Sequence, residues 1–253
     1  ELKDMYPVSK RELGEVVFEI KNLDDGFLHD ISLNVRKHEI VGLYGLMGSG
    51  CSEIIQCAFG VRKYKTGEFY VQGKKIQIHQ PMDAKNAGLA YVPAERKREG
   101  LMLGHPVLNN LTIVTLKDFV NGLFINLKKE KETALKWINN YRIKTPSPYT
   151  PVSSLSGGNQ QKIVISKWVA TKPKVFMLND PTKGIDVGAK VEIYKDIEAL
   201  CKAGCGVIYV AAELPELIGI ADRVYVIHEG RLVAEYEGDD ITQKNIVKSA
   251  IGE

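Results

Sequence analysis

Short apolar runs alternate with segments of helical periodicity along most of the chain. The pattern favours strands in five places before the first long helical segment: residues 15–20, 31–36, 40–44, 67–72 and 74–79. Two further apolar runs, 175–178 and 206–211, lie on either side of a segment with helical spacing at Val191, Tyr194 and Ile197. Because buried strands that alternate with helices build parallel sheets, we expect an α/β fold with a mainly parallel core sheet.

Other parts of the chain show different patterns. Gly73 and Lys74 form a turn between two of the early strands, which predicts an antiparallel β layer beside the core. From 107 to 141 the periodicity is helical and predicts a helical lobe. The chain ends with two strands around a turn at 228–230 and a helix that begins near Asp240.

Composition and charge argue against several classes of function. The chain has 253 residues, of which 44% are hydrophobic, and this is enough to bury the core of one large α/β domain. Its formal net charge is only +3 and no dense basic tract occurs, so we expect no nucleic-acid partner. No apolar run reaches the roughly 20 residues of a membrane-spanning helix. The four cysteines and five histidines are scattered, so a structural metal site is not expected.

A glycine-rich segment, GLMGSGCS at 45–52, follows the apolar run 40–44 and precedes the start of a helix. A strand, a glycine loop and a helix in this order are typical of a P-loop, G-x-x-x-x-G-K-[ST], whose backbone N–H groups hold phosphates. Cys51 stands where that pattern has lysine, whereas Ser52 keeps the hydroxyl. Glycine-rich turns that bind no phosphate are also common in α/β folds, so the loop alone does not establish a phosphate-binding site. The positive end of the helix predicts a lowered thiol pKa for Cys51, unless burial raises it.

The segment LSGGNQQK at 155–162 is the most specific motif of the chain. Ser156 is expected to cap a helix, and Gly157 and Gly158 let backbone N–H groups approach an anion at its positive end. The motif closely resembles the signature of ABC-transporter ATPases. Other motifs of that family follow in the expected order: the glycine loop, the signature, Asn179–Asp180–Pro181–Thr182, and Gly184–Ile185–Asp186. The resemblance implies a P-loop NTPase of the ABC-ATPase fold, with a helical lobe that carries the signature.

The resemblance also implies roles for single residues. Family members read Asp-Glu-Pro-Thr after the strand, so Asn179 takes the place of the magnesium-side aspartate and Asp180 that of the catalytic glutamate. Ala212 takes the place of a histidine near the terminal phosphate, and Ala94 that of the glutamine that opens the Q-loop. The implied nucleotide-contacting positions are Gly45, Gly48, Ser49, Gly50, Cys51, Ser52, Asn179, Ser156, Gly157 and Gly158. Ser52 would be a weak magnesium ligand at best.

The altered positions resemble the second half of the tandem ATPases of bacterial monosaccharide importers, the ribose, galactose and xylose class. That resemblance implies a single nucleotide-binding domain, 1–253, excised from a longer chain. Its expected parts are a linker 1–14, an α/β core 15–94 and 163–236, the helical lobe 95–162, and a C-terminal helix 237–253.

In this family two nucleotide domains pack head to tail, and each signature closes over the partner's phosphates. The resemblance therefore implies a domain with little ATPase activity alone, which binds ATP with magnesium weakly and supplies its signature to ATP held by the first half of the same polypeptide. Its other partners would be a transmembrane sugar permease and, indirectly, an extracytoplasmic sugar-binding protein. It would be peripheral at the cytoplasmic face of the inner membrane and soluble when isolated. The alternative is a functional ATPase of a soluble ABC protein, of the translation or repair type.

Two features remain open on the sequence alone. The charge cluster Glu95–Glu99 is either a solvated loop, which is the favoured interpretation, or a contact with the permease. Phe27 either stacks on adenine, as an upstream aromatic residue does in the family, or belongs to the core, and the core role is favoured.

Overall fold

The computed structural model describes Tyr6 and residues 11–253, so most of the predicted linker 1–14 lies outside the described residues. The described chain forms two compact units. The first contains the residues up to 91 together with 173–180 and 197–253, and the second contains 92–172 and 181–196. Among the described residues, no helix is both long and apolar enough to cross a bilayer.

A six-stranded sheet forms the core of the first unit. Its strands in spatial order are β12 (Arg231–Glu237), β11 (Arg223–His228), β3 (Ile40–Tyr44), β10 (Gly206–Val210), β9 (Val175–Asn179) and β6 (Leu89–Val92). β3 is parallel to both β10 and β11, and β9 is parallel to β10, whereas β12 is antiparallel to β11. Every residue of β9 and β10 is buried, as expected for apolar runs that are covered on both faces. The predicted mainly parallel core is confirmed.

An antiparallel sheet belongs to the same unit. Its strands in spatial order are β2 (Ile31–Arg36), β1 (Val16–Asp24), β4 (Thr66–Val71) and β5 (Lys74–Ile76). Ile20 lies opposite Leu33 on one side and Phe69 on the other, and all three side chains are buried. The predicted antiparallel layer is confirmed.

β5 ends before the predicted residue 79 because a helix begins soon afterwards. The carboxylate of Asp83 accepts hydrogen bonds from the backbone N–H groups of His79 and Gln80, at 3.0 and 3.1 Å, and so fixes the start of α2 (Pro81–Ala87). The sequence pattern does not predict α2 because Ala84 is its only buried residue, which leaves no apolar periodicity to read.

Three more helices belong wholly to the first unit. α1 (Cys51–Phe59) begins directly after the glycine loop, α7 (Leu214–Ile220) lies against β3, and α8 (Gln243–Ala250) lies against β11. Gly42 of β3 lies so close to α7 that an added Cβ would come within 2.6 Å of the Leu217 side chain. This close contact fixes β3, and therefore the start of the glycine loop, against the rest of the unit.

The second unit is mainly helical. Its elements are α3 (Val107–Thr112), a 3₁₀ segment (Ile113–Phe119), the short hairpin of β7 (Val120–Asn121) and β8 (Phe124–Ile125), α4 (Leu127–Asn140), α5 (Gly157–Val169) and the first part of α6 (Val187–Lys202). Its core residues are Val107, Leu108, Leu111, Ala134, Ile143, Val152 and Ile163. The hairpin interrupts the stretch that the periodicity predicts as helical. Gly122 and Leu123 form its two-residue turn, with Gly122 at φ +62°, and glycine is favoured at the first central position of such a turn.

Candidate functional site

The glycine loop of the first unit connects β3 to α1 and is held in a defined turn. The Ser49 N–H donates to the Leu46 carbonyl at 2.9 Å, and the Gly230 N–H donates to the Ser49 carbonyl at 2.8 Å. Gly45 must be glycine because a Cβ there would overlap the carbonyl oxygen of Ile227. Gly50 has φ +115°, a conformation that disfavours residues with a side chain. The loop therefore has the strand, turn and helix start that the sequence predicts.

Cys51 is the first residue of α1 and is only 7% exposed. Its Sγ lies 3.4 Å from the Ser49 hydroxyl, and burial raises the pKa of the thiol to about 12. The prediction of a lowered thiol pKa is wrong, because the loss of solvent outweighs the attraction of the helix N-terminus for an anion. Cys51 is therefore a neutral thiol where a P-loop has a cation.

Ser52 and Asn179 meet beneath this loop. The Ser52 hydroxyl donates to the Asn179 side-chain oxygen at 3.0 Å, and Asn179, the last residue of β9, is 3% exposed. The sequence places Asn179 in the position of the family's magnesium-side aspartate, and the contact with Ser52 agrees with that register. The pair consists of a hydroxyl and an amide, so neither group carries a negative charge.

The remaining predicted catalytic positions follow the carboxyl ends of neighbouring strands. Asp180 follows β9, has φ +45°, and its N–H donates to the Val210 carbonyl at 2.8 Å. Ala212 is exposed and lies just beyond β10, which is the neighbour of both β9 and β3. The glycine loop, Asp180 and Ala212 thus share one edge of the sheet, where ligands bind in α/β folds. Ala94, beyond β6, belongs to the second unit.

Phe27 lies beside the glycine loop. The residue is 38% exposed, and its Cε1 atom would be 3.4 Å from a Cβ added at Gly50. The interpretation of Phe27 as a core residue is therefore wrong, because the residue is exposed beside the loop.

The signature helix α5 of the second unit begins as predicted. Ser156 is its N-cap, and the Ser156 hydroxyl accepts hydrogen bonds from the Asn159 backbone N–H at 3.5 Å and from the Asn159 side-chain amide at 2.9 Å. Gly158 packs so tightly that an added Cβ would lie 2.7 Å from the Ala189 Cβ. The predicted cap is confirmed, and Ser156 itself is exposed.

A cavity of about 340 Å³ opens at this helix start. Its lining residues all belong to the second unit and are Lys144, Ser156, Gly158, Asn159, Lys162, Asp186, Gly188, Ala189 and Glu192. The Lys162 ammonium forms an ion pair with Glu192 and donates to the Arg142 carbonyl at 3.4 Å. The Asp186 carboxylate accepts from the Ala189 N–H at 3.0 Å and so caps α6. The N-termini of α5 and α6 therefore meet at one cavity, and both helix ends attract negative charge.

The charged segment 95–99 is only partly the solvated loop that the sequence favours. Lys97, Arg98 and Glu99 are exposed. Glu95 is exposed as well and forms a solvent-exposed ion pair with Lys183 at 2.6 Å, whereas Arg96 is half-buried and its Nη1 donates to the Lys183 carbonyl oxygen at 2.6 Å. Sequence reasoning missed Arg96, because nothing in the local pattern distinguishes it from Arg98.

Comparison with known proteins identifies the family. A sequence model of the family described as "ABC transporter" matches residues 28–183. The chain belongs to the ABC transporter family. This ABC domain is 42% identical over 253 residues to the ribose import ATP-binding protein RbsA of Oceanobacillus iheyensis and 43% identical to RbsA of Bacillus subtilis (strain 168). Each alignment covers 100% of the ABC domain but only 51% of the relative, so the chain spans about half the length of these curated relatives.

Solved structures give the same fold. The ABC domain is similar to the ADP conformation of an ATP-binding cassette of an ABC transporter, with a TM-score of 0.76 at 23% identity over 94% of this chain and 99% of that chain. It is also similar to a nucleotide-free ATP-binding cassette, with a TM-score of 0.76 at 22% identity over 94% and 96% of the two chains. The predicted ABC-ATPase fold is therefore confirmed.

Proposed function

We propose that this chain is an ATP-binding domain of a bacterial monosaccharide importer and that it serves mainly as the donor of a signature helix. The observation that supports this proposal is a contrast between two sets of residues. Ser156 caps an exposed helix start beside an open cavity, whereas Cys51 is a buried neutral thiol in the glycine loop. The relatives are named for ribose import, which supports a monosaccharide of that class as the transported sugar.

The glycine loop fits an anion in its backbone but lacks the usual cation. Gly48 has φ +79° and open space around it, and the helix that follows presents its positive end. An intact P-loop adds a lysine against the phosphates. Each charge-assisted contact contributes about 1.5–3 kcal/mol, so the loss of the lysine weakens nucleotide binding by about 10-fold or more.

Magnesium fits the same loop poorly. The Ser52 hydroxyl donates to the Asn179 amide oxygen at 3.0 Å. Magnesium is usually held by one or two carboxylates in addition to phosphate oxygens, and this pair supplies no carboxylate. We infer that the loop holds MgATP weakly and that the combined loss is about 3–6 kcal/mol relative to an intact P-loop.

The groups that would activate water are altered as well. Asp180 is one methylene shorter than a glutamate, and a displaced base loses much of the roughly 10²- to 10⁴-fold that such a group contributes. Ala212 and Ala94 have no polar side-chain atom at the positions of the family's histidine and glutamine. The domain alone is therefore expected to turn over ATP negligibly.

The donor surface of the second unit has kept its chemistry. Ser156 offers a hydroxyl, Gly157 and Gly158 offer backbone N–H groups, and Ser156 and Gly158 line the adjoining cavity of about 340 Å³. A partner nucleotide whose phosphates enter this cavity would meet two helix N-termini. We infer that the ATP in question is bound by the first half of the parent polypeptide, which fits the half-length coverage of the relatives.

The proposed partners follow from this role. They are the first nucleotide-binding half, a transmembrane sugar permease and, indirectly, an extracytoplasmic sugar-binding protein. The proposed location is the cytoplasmic face of the membrane, where the domain would be peripheral.

Two variants in the assembled transporter test which half carries the working site. Ser156→Arg places a bulky cation in the cavity at the helix start and should abolish ATP turnover, whereas Cys51→Ala should leave turnover within about 2-fold of wild type. Ser154→Arg, on an exposed residue just before the signature, is the matched control and should be silent. Turnover that survives Ser156→Arg but is lost in Cys51→Ala would place the working site in this chain. Slow turnover by the isolated domain that disappears in Asp180→Asn would favour a soluble ABC ATPase instead.

A further inference from the structure

Arg96 connects three parts of the second unit that the sequence keeps far apart. Its Nη1 atom donates to the Lys183 carbonyl oxygen at 2.6 Å, and its Nη2 atom donates to the Gly184 carbonyl oxygen at 3.4 Å. The same Nη2 atom lies where it would be 2.8 Å from a Cβ added at Gly157, the first residue of α5. The guanidinium therefore occupies the space between the signature helix start and the 183–184 turn.

The guanidinium fork suits this contact. Two consecutive carbonyl oxygens are held by two nitrogens at a fixed spacing in one plane, whereas a lysine ammonium presents its three N–H groups from a single nitrogen on a flexible stem. Arg96 Nε is buried and, within the described residues, has no hydrogen-bond partner. Burial lowers the pKa of Arg96, although the nearby Glu95 carboxylate opposes that effect. A cation in this environment is costly to desolvate, so a residue that only filled space would not need to be charged.

The segment that carries Arg96 is anchored at both of its ends. Residues Arg96–Gly100 form a single π-helical turn, a feature often found at functional sites. At its start, Glu95 forms an ion pair with Lys183. At its end, the Lys167 ammonium of α5 donates to the Gly100 carbonyl, and a Cβ added at Gly100 would lie 3.2 Å from the Val164 side chain. The segment thus bridges the middle of α5 and the 183–184 turn.

We propose that Arg96 is a positioning residue, which holds the 183–184 turn against the start of α5 and so fixes the relative placement of Ser156 and Asp186 at the cavity. This proposal rests on the proposed donor role for its effect on turnover, but its structural part does not. Residues from the start of α5 and from the start of α6 both line the cavity. A more mobile 183–184 turn would therefore make the positions of these residues less well defined for an incoming phosphate.

Hydrogen exchange of the full chain tests the structural part. The Ile185 N–H donates to the Thr182 carbonyl at 3.1 Å and reports on the turn. In Arg96→Ala, exchange at Ile185 should be about 10-fold faster, while exchange in β3 stays unchanged. Arg96→Lys should resemble Arg96→Ala, because it restores the charge without the fork. Lys97→Ala, which removes one exposed positive charge from the neighbouring residue, should match wild type.

Unchanged exchange at Ile185 in Arg96→Ala would overturn the proposal, as would an equal acceleration over the whole chain. Complete rescue by Arg96→Lys would also overturn it, since charge alone would then suffice.

ATP turnover of the assembled transporter separates this proposal from the donor role. If both hold, Arg96→Ala should lower kcat about 10-fold or more at saturating ATP, while Lys97→Ala should not. If Ser156→Arg leaves turnover intact while Arg96→Ala still loosens Ile185, the donor role is wrong and the positioning role stands. If Ser156→Arg abolishes turnover while Arg96→Ala changes neither exchange nor kcat, the positioning role is wrong.

Discussion

The double variant Cys51→Lys with Asn179→Asp should restore MgATP binding to the glycine loop. Lysine returns the cation that a P-loop directs at the phosphates, and aspartate replaces the amide that now accepts the Ser52 hydroxyl at 3.0 Å. We expect binding at least about 10-fold tighter than wild type, which corresponds to about 1.4 kcal/mol. Each single variant should give less than the pair, because the lysine and the magnesium ion share the same phosphates.

The magnitude follows from two opposing contributions. The new lysine and the new carboxylate each add a charge-assisted contact of about 1.5–3 kcal/mol. Desolvation opposes them: burial lowers the pKa of Lys167 to about 8 from an ordinary value of 10.5, which corresponds to about 3 kcal/mol. Cys51 is 7% exposed, so an ammonium that stayed at this depth would lose a similar amount. A lysine side chain is long enough to extend toward the phosphates, which is why the net effect is a gain.

Isothermal titration calorimetry at fixed magnesium and salt concentration measures this effect. Cys51→Met with Asn179→Asp is the matched control, because methionine adds length without charge. If the double variant with lysine binds no more tightly than this control, charge is not what the loop lacks. The assignment of position 51 as the missing cation would then be refuted.

Two further predictions concern burial. Lys167→Met should raise the free energy of unfolding at pH 7 by about 1–2 kcal/mol, since it removes a desolvation cost of about 3 kcal/mol, and the loss of the hydrogen bond to Gly100 offsets only part of that gain. Because the folded-state pKa of Lys167 is lowered to about 8, the unfolded chain binds more protons than the folded chain between pH 8 and 10.5. Wild type should therefore gain stability over that pH window, and the stability advantage of Lys167→Met should shrink. Urea unfolding from pH 6.5 to 10 measures this, with Lys97→Met as the exposed control, and a pH-independent stability difference would contradict it. Cys51 and Cys57 both have thiol pKa values raised by burial to about 12, so iodoacetamide at pH 8 should label the two slowly and at similar rates in the folded chain; fast, selective labelling of Cys51 would restore the lowered-pKa interpretation.

The sequence predicted those elements correctly whose local residue pattern matches their burial and hydrogen bonding in the folded structure. β9 and β10 were predicted within one or two residues because every position in them is buried, which leaves a continuous apolar run. The Ser156 cap was predicted because capping is decided within four residues of chain. The hairpin that turns at Gly122–Leu123 was missed because its strands have only two residues each, too few to show alternation.

The misses at the site have a different origin, since they depend on tertiary burial. A cysteine at a helix N-terminus has a lowered pKa when solvent reaches it, and the burial of Cys51 reverses that direction even though the contact with the Ser49 hydroxyl lowers the pKa. Phe27 is apolar, which favours a core position in the sequence, and only the folded structure shows that the residue is 38% exposed beside Gly50.

The glycine loop and the signature helix start differ in how far their attraction for an anion depends on charged side chains. Under the proposed function, tight nucleotide binding by the glycine loop would need a side-chain cation and a carboxylate, and Cys51 and Asn179 supply neither. At the signature, the anion-attracting groups are the backbone N–H groups at the starts of α5 and α6, which no side-chain substitution removes so long as the glycines and caps remain. The proposed donor function could therefore persist without turnover in this domain, because it would depend on helix ends and on the contacts, such as those proposed for Arg96, that hold them in place.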